Sequence, residues 1–265
     1  DQYQCRRELP WVDDDNPGFG ASFTDQAGKP VPGNTFDFTI IHGKAMMAAG
    51  RPFHSSSSAA FAEGSFSASN DAAADIICGK QVTTMVGSGK VPDRFRVFPE
   101  SLQEAIVKYT GEGGNILISG ANIGTDVWDK VFPVEVDSTY TAKTKEFIQN
   151  PLGYKWLTNF ATHGGVVWPM KNNAFNLAGK MGKITFYKER NSLIYNVETP
   201  DGIVPANDNA HTFLRYKDTN ISAGTCFDGD GYKTACLGFP IEVIKEQDDI
   251  NELIANILEY FDNSK

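Results

Sequence analysis

The segment Ser101–Gly124, SLQEAIVKYTGEGGNILISGANIG, constrains the fold of this chain more tightly than any other stretch. Leu102, Ala105, Ile106 and Tyr109 recur at helical spacing, which predicts an amphipathic helix. Gly111, Gly113 and Gly114 follow, and glycine tolerates the left-handed backbone that closes a helix. Asn115–Ser119 is then a short, nearly continuous apolar run, the pattern of a strand covered on both faces. Gly120-Ala121-Asn122-Ile123-Gly124 has the spacing of a nucleophile elbow, a tight strand-to-helix turn that presents its middle residue to solvent. That residue is Asn122, and a carboxamide is not a nucleophile. The sequence therefore predicts the scaffold of a catalytic site without its usual chemistry.

Around this segment the chain divides into an irregular N-terminal arm, residues 1–33, and a single α/β domain, residues 34–265, with an insertion around 127–182. The arm contains Pro10, Pro17, Pro30 and Pro32 and shows no sustained period. Asp13-Asp14-Asp15-Asn16 within it reads as a solvated turn or, with no spaced ligand pattern after it, a weak calcium candidate. Thr35–Ile41 is the first expected strand, His42–Gly50 a short helix, Arg51–Ser57 a second strand and Asp75–Cys78 a third, buried one. The helix and strand of Ser101–Ser119 complete a strand, helix, strand, strand, helix, strand order, which points to a mainly parallel sheet with helices on both sides. A helix is expected around Thr144–Phe160, interrupted near Pro151-Leu152-Gly153. From Lys183 the segments KITFYKE, SLIYNVE, HTFLRYK, ISAGTCF and YKTACLGF read as a hairpin-rich C-terminal part. Asp248–Phe261 places Ile250, Leu253, Ile254, Ile257, Leu258 and Phe261 on one helical stripe.

Composition narrows the function classes. A net charge of −9 argues against a duplex nucleic-acid partner, which needs a basic face. No apolar run approaches the roughly 20 residues of a bilayer span. Cys5, Cys78, Cys226 and Cys236 contain no close pair with zinc-ligand spacing; Cys226 and Cys236 read as buried thiols on strands or as a disulfide across the turn Asp228-Gly229-Asp230-Gly231. No cofactor or metal is implied. The Ser-, Asn- and aromatic-rich texture, with only 24 Lys and Arg, leans towards an exported protein.

In open α/β sheets ligands bind beyond the carboxyl ends of the strands. The residues that follow the expected strands are His42-Gly43-Lys44, Gly79-Lys80-Gln81, Ser119-Gly120-Ala121-Asn122 with Asp126 nearby, and Gly238-Phe239-Pro240-Ile241-Glu242. His42 reads as a base, an anion ligand or a hydrogen-bonded structural histidine. Lys44 and Lys80 read as carboxylate or phosphate holders or as solvated lysines. Ser119 reads as a nucleophile or as a hydroxyl bonded to the turn backbone. His163 beside Gly164-Gly165 fits a mobile loop, and His211 a hairpin position.

Three blocks carry a resemblance: GNTFDFTIIHGKAMMAAG, FPESLQEAIVKYTGEGGNILISGANIGTDVWD and YKTACLGFPIEVI with the closing helix. They resemble the class I glutamine amidotransferase-like fold, a flavodoxin-like three-layer α/β/α domain. More closely, they are similar to a secreted bacterial family that carries the names xanthan lyase and N-acetylmuramoyl-L-alanine amidase. The resemblance implies a cysteine at the elbow and a Phe-His-Pro-Glu motif after a late strand. This chain has Asn122 at the first, and Phe239-Pro240-Ile241-Glu242 at the second. Glu242 can match the family glutamate, while Pro240 stands in place of the histidine. Thiol chemistry needs both thiolate and base. Xanthan lyases are built on helical toroid and β-sandwich domains, unlike this chain.

The leading expectation is a non-catalytic or repurposed amidotransferase-like domain of an exported carbohydrate- or cell-wall-processing protein. It would bind a small polar ligand or glycan, or dock neighbouring domains, through His42, Lys44, Lys80, Gln81, Ser119, Asn122 and Glu242. Trp156, Trp168, Phe186 and Tyr187 read as an aromatic platform or as ordinary core. The alternative is a hydrolase of amides or esters, a peptidoglycan amidase among them, using Ser119 or a bound water with His42 or His163 and Asp126, or a polysaccharide lyase.

Overall fold

A computed structural model describes residues 38–81, 84–86, 93–128, 138–172, 174–189, 191 and 193–263. The expected N-terminal arm and the first residues of the Thr35–Ile41 strand lie outside the described residues.

The chain opens with α1 (Thr39–Ala48) and the single-turn α2 (Ser58–Ala62), then β1 (Ala73–Gly79) and the short pair β2 (Thr84–Val86) and β3 (Asp93–Phe95). The elbow region follows as α3 (Glu100–Gly111), β4 (Asn115–Gly120) and the four-residue α4 (Thr125–Trp128). Next come α5 (Ser138–Gln149), β5 (Tyr154–Thr158), β6 (Val166–Pro169), β7 (Ile184–Thr185) and β8 (Gly202–Pro205). The last elements are β9 (Ala210–Tyr216), β10 (Ser222–Asp228), β11 (Lys233–Leu237) and α6 (Gln247–Asp262).

Seven strands form one sheet in the order β1-β4-β11-β10-β9-β6-β7. β4 runs parallel to β1 and to β11; the other four neighbouring pairs are antiparallel. The α/β class stands, and the expectation of a mainly parallel sheet is corrected. The cause is local. Parallel neighbours need a crossover connection, whereas strands joined by tight turns must pair antiparallel. Here β1 and β4 are joined across a helix, α3, and β4 and β11 are separated by the whole span of β5–β10. β9, β10 and β11 follow one another through short turns, and the Asp228–Lys233 pairing closes the last hairpin.

Strand alternation splits the interior into two cores. Ile116 and Ile118 of β4 pack with Leu102 and Ile106 of α3 and Ile148 of α5. Leu117, between them, faces the opposite core with Ala45 of α1 and Ile250, Leu253, Ile254 and Ile257 of α6. α6 keeps the expected apolar stripe, and its length and period made it legible.

Four expected elements are corrected. Thr39–Ile41, assigned to a strand, opens α1; burial of His42 and Ala45 one turn apart against the sheet outweighs the β-branched pattern. Arg51–Ser57 forms no strand. The helix expected around Thr144–Phe160 ends at Gln149, and Tyr154–Thr158 pairs instead with β8 as an antiparallel strand. The described residues of the SLIYNVE segment, 193–198, form no strand.

Candidate functional site

The elbow forms where it was expected, after a strand with neighbours on both sides, but its geometry differs from a nucleophile elbow. Asn122 is absent from the non-glycine residues with positive φ, so the turn does not hold its middle residue in a strained left-handed conformation. The glycines serve close packing instead. A Cβ on Gly120 would lie 2.6 Å from the Cys78 Cβ, and one on Gly124 2.7 Å from the Trp156 ring. Asn122 is 1% exposed, and its Nδ2 donates to the Lys80 carbonyl at 3.1 Å. The expectation that the turn offers this residue to solvent is corrected: its amide is turned inward to the end of β1. Asp201, buried between β8 and the loop before it, fixes the turn from the other side. Its carboxylate accepts from Gly124 N at 2.7 Å, Thr125 N at 2.9 Å and the Thr125 hydroxyl, satisfying N–H groups that begin α4.

The densest buried polar cluster is built around His42. The residue sits on the α1 face turned to the sheet and is 2% exposed. Its Nδ1 donates to Asp75 Oδ2 at 2.6 Å, and its Nε2 to Glu242 Oε2 at 3.4 Å. The Tyr195 hydroxyl donates to Glu242 Oε1 at 2.6 Å. A carboxylate only accepts, so an imidazole held between two of them carries a proton on each nitrogen. Burial pulls the imidazole pKa down. The charges and hydrogen bonds of Asp75 and Glu242 outweigh that and raise it to about 10. Burial pushes Glu242 up, but its bonds to His42 and Tyr195 and the imidazolium charge bring it below the ordinary carboxylate value. His42 is therefore an imidazolium with no lone pair to offer as a base.

Lys80 follows β1 directly and is 1% exposed. Its Nζ donates to Glu198 Oε2 at 2.8 Å and lies 5.8 Å from the centre of the Tyr195 ring, which links it to the His42 cluster. Gln81 is buried beside it, while Lys44 is exposed on α1. Of the expected ligand residues, the structure thus gathers His42, Glu242, Lys80 and Asn122 near the ends of the parallel strands and leaves Lys44 at the surface.

The hydrolase candidates do not converge. Alternation on β4 puts Ser119 on the Leu117 face, the same side of the sheet as His42. The Ser119 hydroxyl is buried with no hydrogen-bond partner, and both His42 nitrogens bond carboxylates. Asp126 accepts from Val97 N at 3.2 Å, and Val97 packs in the core on the opposite face. His163 is exposed and bonds Asp218 through its backbone. Cys78, Cys226 and Cys236 are free and buried. Burial pushes the Cys78 and Cys226 thiols up to about 12 and raises Cys236 as well, so none is poised as a thiolate. Of the four aromatics, Phe186 is core, Trp156 donates its ring N–H to Thr125, and Trp168 is half exposed beneath Lys217.

Asp75, Tyr195 and Glu198 complete the cluster and were not singled out in the sequence. A signal existed for Asp75. An acidic residue opening the apolar run Asp75-Ile76-Ile77-Cys78 is rarely buried without a partner. Asp75 and His42 also line a cavity of about 380 Å³ between α1, the Arg51–Ser58 segment, β1 and α6.

Comparison with known proteins adds no family. No protein-family model and no curated protein matches this chain. Among the described residues no helix is long and apolar enough to cross a membrane, and none of their His, Cys, Asp and Glu side chains form a group of three able to hold a metal ion.

Proposed function

We propose that this chain is a binding domain without nucleophilic catalysis of its own, a repurposed amidotransferase-like domain of an exported carbohydrate- or cell-wall-processing protein, which takes a small polar ligand or glycan in the cavity beside His42. The observation that carries this is the clamp on His42. Both ring nitrogens donate to carboxylates, so the histidine best placed to act as a base holds its proton. The elbow adds to it, since Asn122 spends its amide on the Lys80 carbonyl. The cavity falls in the range of about 300–1,000 Å³ typical of small-molecule sites. Its lining joins a charged pair, His42 and Asp75, to aromatic walls such as Phe53 and Phe61.

The test pairs binding with turnover. The purified chain is screened by thermal shift against mono- and oligosaccharides and peptidoglycan fragments, and the same compounds, with ester and amide substrates, are followed for product. A ligand-dependent rise in melting temperature without turnover is the expected result. Hydrolysis or β-elimination that is lost in His42→Gln would overturn the reading and establish the hydrolase or lyase alternative.

A further inference from the structure

The His42 cluster leaves one acceptor without a donor, and it belongs to Asp75, a residue that lines the cavity. Two carboxylates, Asp75 and Glu242, share a single imidazolium. Lys80, the other buried cation near them, is paired with Glu198. Among the described residues, Asp75, Glu242 and His42 together carry one negative charge more than positive, in a region where burial makes unbalanced charge costly. Glu242 uses both oxygens, one on His42 and one on Tyr195. Asp75 uses only one. Its Oδ2 receives His42, while its Oδ1 is buried with no hydrogen-bond partner, and the side chain is 7% exposed. An orphaned carboxylate oxygen in a buried position costs more than an ordinary missing bond, and a stable fold keeps one where something else supplies the donor.

The rest of the cavity says what carries that donor. Beside Asp75 the walls are largely apolar, from Met46, Phe53, Phe61, Phe66 and Leu258. The other charged side chains at the cavity already have partners: Arg51 pairs with Asp262, and His54 pairs with Asp71 at 3.6 Å while stacking on Phe66. A bare metal ion does not suit this wall, because the described residues offer no third His, Cys, Asp or Glu to hold one.

We propose that the cavity takes a small ligand that presents a protonated amine to the Asp75 carboxylate, which turns its spare oxygen to the ligand, and lays a compact apolar body, such as the face of an amino sugar or a cyclic amine, against Phe53, Phe61 and Phe66. This rests on the binding function proposed above and specifies its ligand class. The ammonium supplies the missing donor and cancels the spare negative charge in one contact. A charge-assisted bond of that kind is roughly twice as strong as a neutral one, so the site selects amines over isosteric alcohols and repels carboxylates.

The experiment uses three probes of one shape, cyclohexylmethylamine, cyclohexylmethanol and cyclohexanecarboxylate, with glucosamine, glucose and glucuronate in parallel, measured by calorimetry at pH 7. The expected order is amine over alcohol by about tenfold or more, with no carboxylate binding. Asp75→Asn brings the amine-to-alcohol ratio to about one, a ratio that can be read whether or not the variant loses stability. Phe53→Ala, a change at a partly exposed residue, weakens both probes and leaves their ratio intact. Equal affinity for amine and alcohol, binding of the carboxylate, or a Phe53→Ala variant with unchanged affinities overturns the proposal. Binding of glucose without preference for glucosamine sinks the amine assignment while leaving the binding function standing; silence from all six probes counts against both.

Discussion

Replacing His42 by leucine removes the one cation that, among the described residues, pairs with both Asp75 and Glu242, and its cost can be worked from the structure in two ways. Breaking a buried ion pair by deleting one partner costs about 3–5 kcal/mol, because the remaining charge is left without compensation. Independently, the rise of the His42 pKa from 6.5 to about 10, at about 1.4 kcal/mol per unit, corresponds to on the order of 5 kcal/mol. The two agree in size, and the second fixes the pH dependence. The folded-state pKa lies above the unfolded one, so the stabilisation is complete below pH 6.5. It drains away as pH rises from 6.5 through about 10, where the folded protein also loses the proton. Glu242 moves the other way. Its folded pKa lies below 4.5, so its contribution is present above that value and is lost as pH falls through the lowered pKa. The difference between wild type and His42→Leu is therefore largest between about pH 4.5 and 6.5 and shrinks towards pH 10. Urea unfolding followed by tryptophan fluorescence at pH 6, 8 and 10 measures it. A loss below about 1 kcal/mol at pH 6, the size of an exposed ion pair, or the same loss at pH 6 and pH 10, would refute the assignment of His42 as a buried imidazolium.

Three further outcomes follow. Asp201→Ala strips Gly124 N, Thr125 N and the Thr125 hydroxyl of their acceptor and should cost about 2–4 kcal/mol in urea, since each buried donor left unpaired costs about 1–3 kcal/mol; a loss under 1 kcal/mol would mean that water replaces the carboxylate. Gly120→Ala drives a methyl to 2.6 Å from the Cys78 Cβ and should destabilise by about 1–3 kcal/mol, whereas Gly111→Ala, with open space around its Cβ, should be neutral or slightly stabilising. Cys78, Cys226 and Cys236, buried with raised pKa values, should react with a thiol reagent at the rate of unfolding; rapid labelling of any of them in the native protein would show a reactive thiol at odds with these surroundings.

The parts of the fold that were legible in the sequence are those where local pattern and tertiary demand coincide. α3 and α6 carry their apolar stripes on the side that meets the sheet, and β4 is apolar because it is covered on both faces. Legibility failed where packing overrode pattern. Thr39–Ile41 has the composition of a strand yet begins α1, because the chain there buries His42 against Asp75, 33 residues away. Sheet direction was also hidden: the turn at Asp228-Gly229-Asp230-Gly231 was visible, but nothing local said that β9, β10 and β11 would join the same sheet as β1 and β4. Within the site, Lys80, Asn122 and Glu242 were found because they follow strand ends, whereas His42 was found by way of an expected strand that the structure replaces with α1. Asp75 and Tyr195 were missed because their role is set by partners 33 and 47 residues distant, and Lys44, beside His42 in sequence, points to solvent because helical geometry turns adjacent residues to different faces.

The protonation of His42 tests the central claim most directly. In protein labelled at the histidine ring nitrogens, the His42 resonances followed by NMR from pH 5 to pH 9 should keep the imidazolium pattern, with a proton on both Nδ1 and Nε2. A His42 resonance that titrates near 6.5, or that shows a neutral tautomer at pH 7, would return a free base to the site and contradict the account of a clamped, non-catalytic histidine.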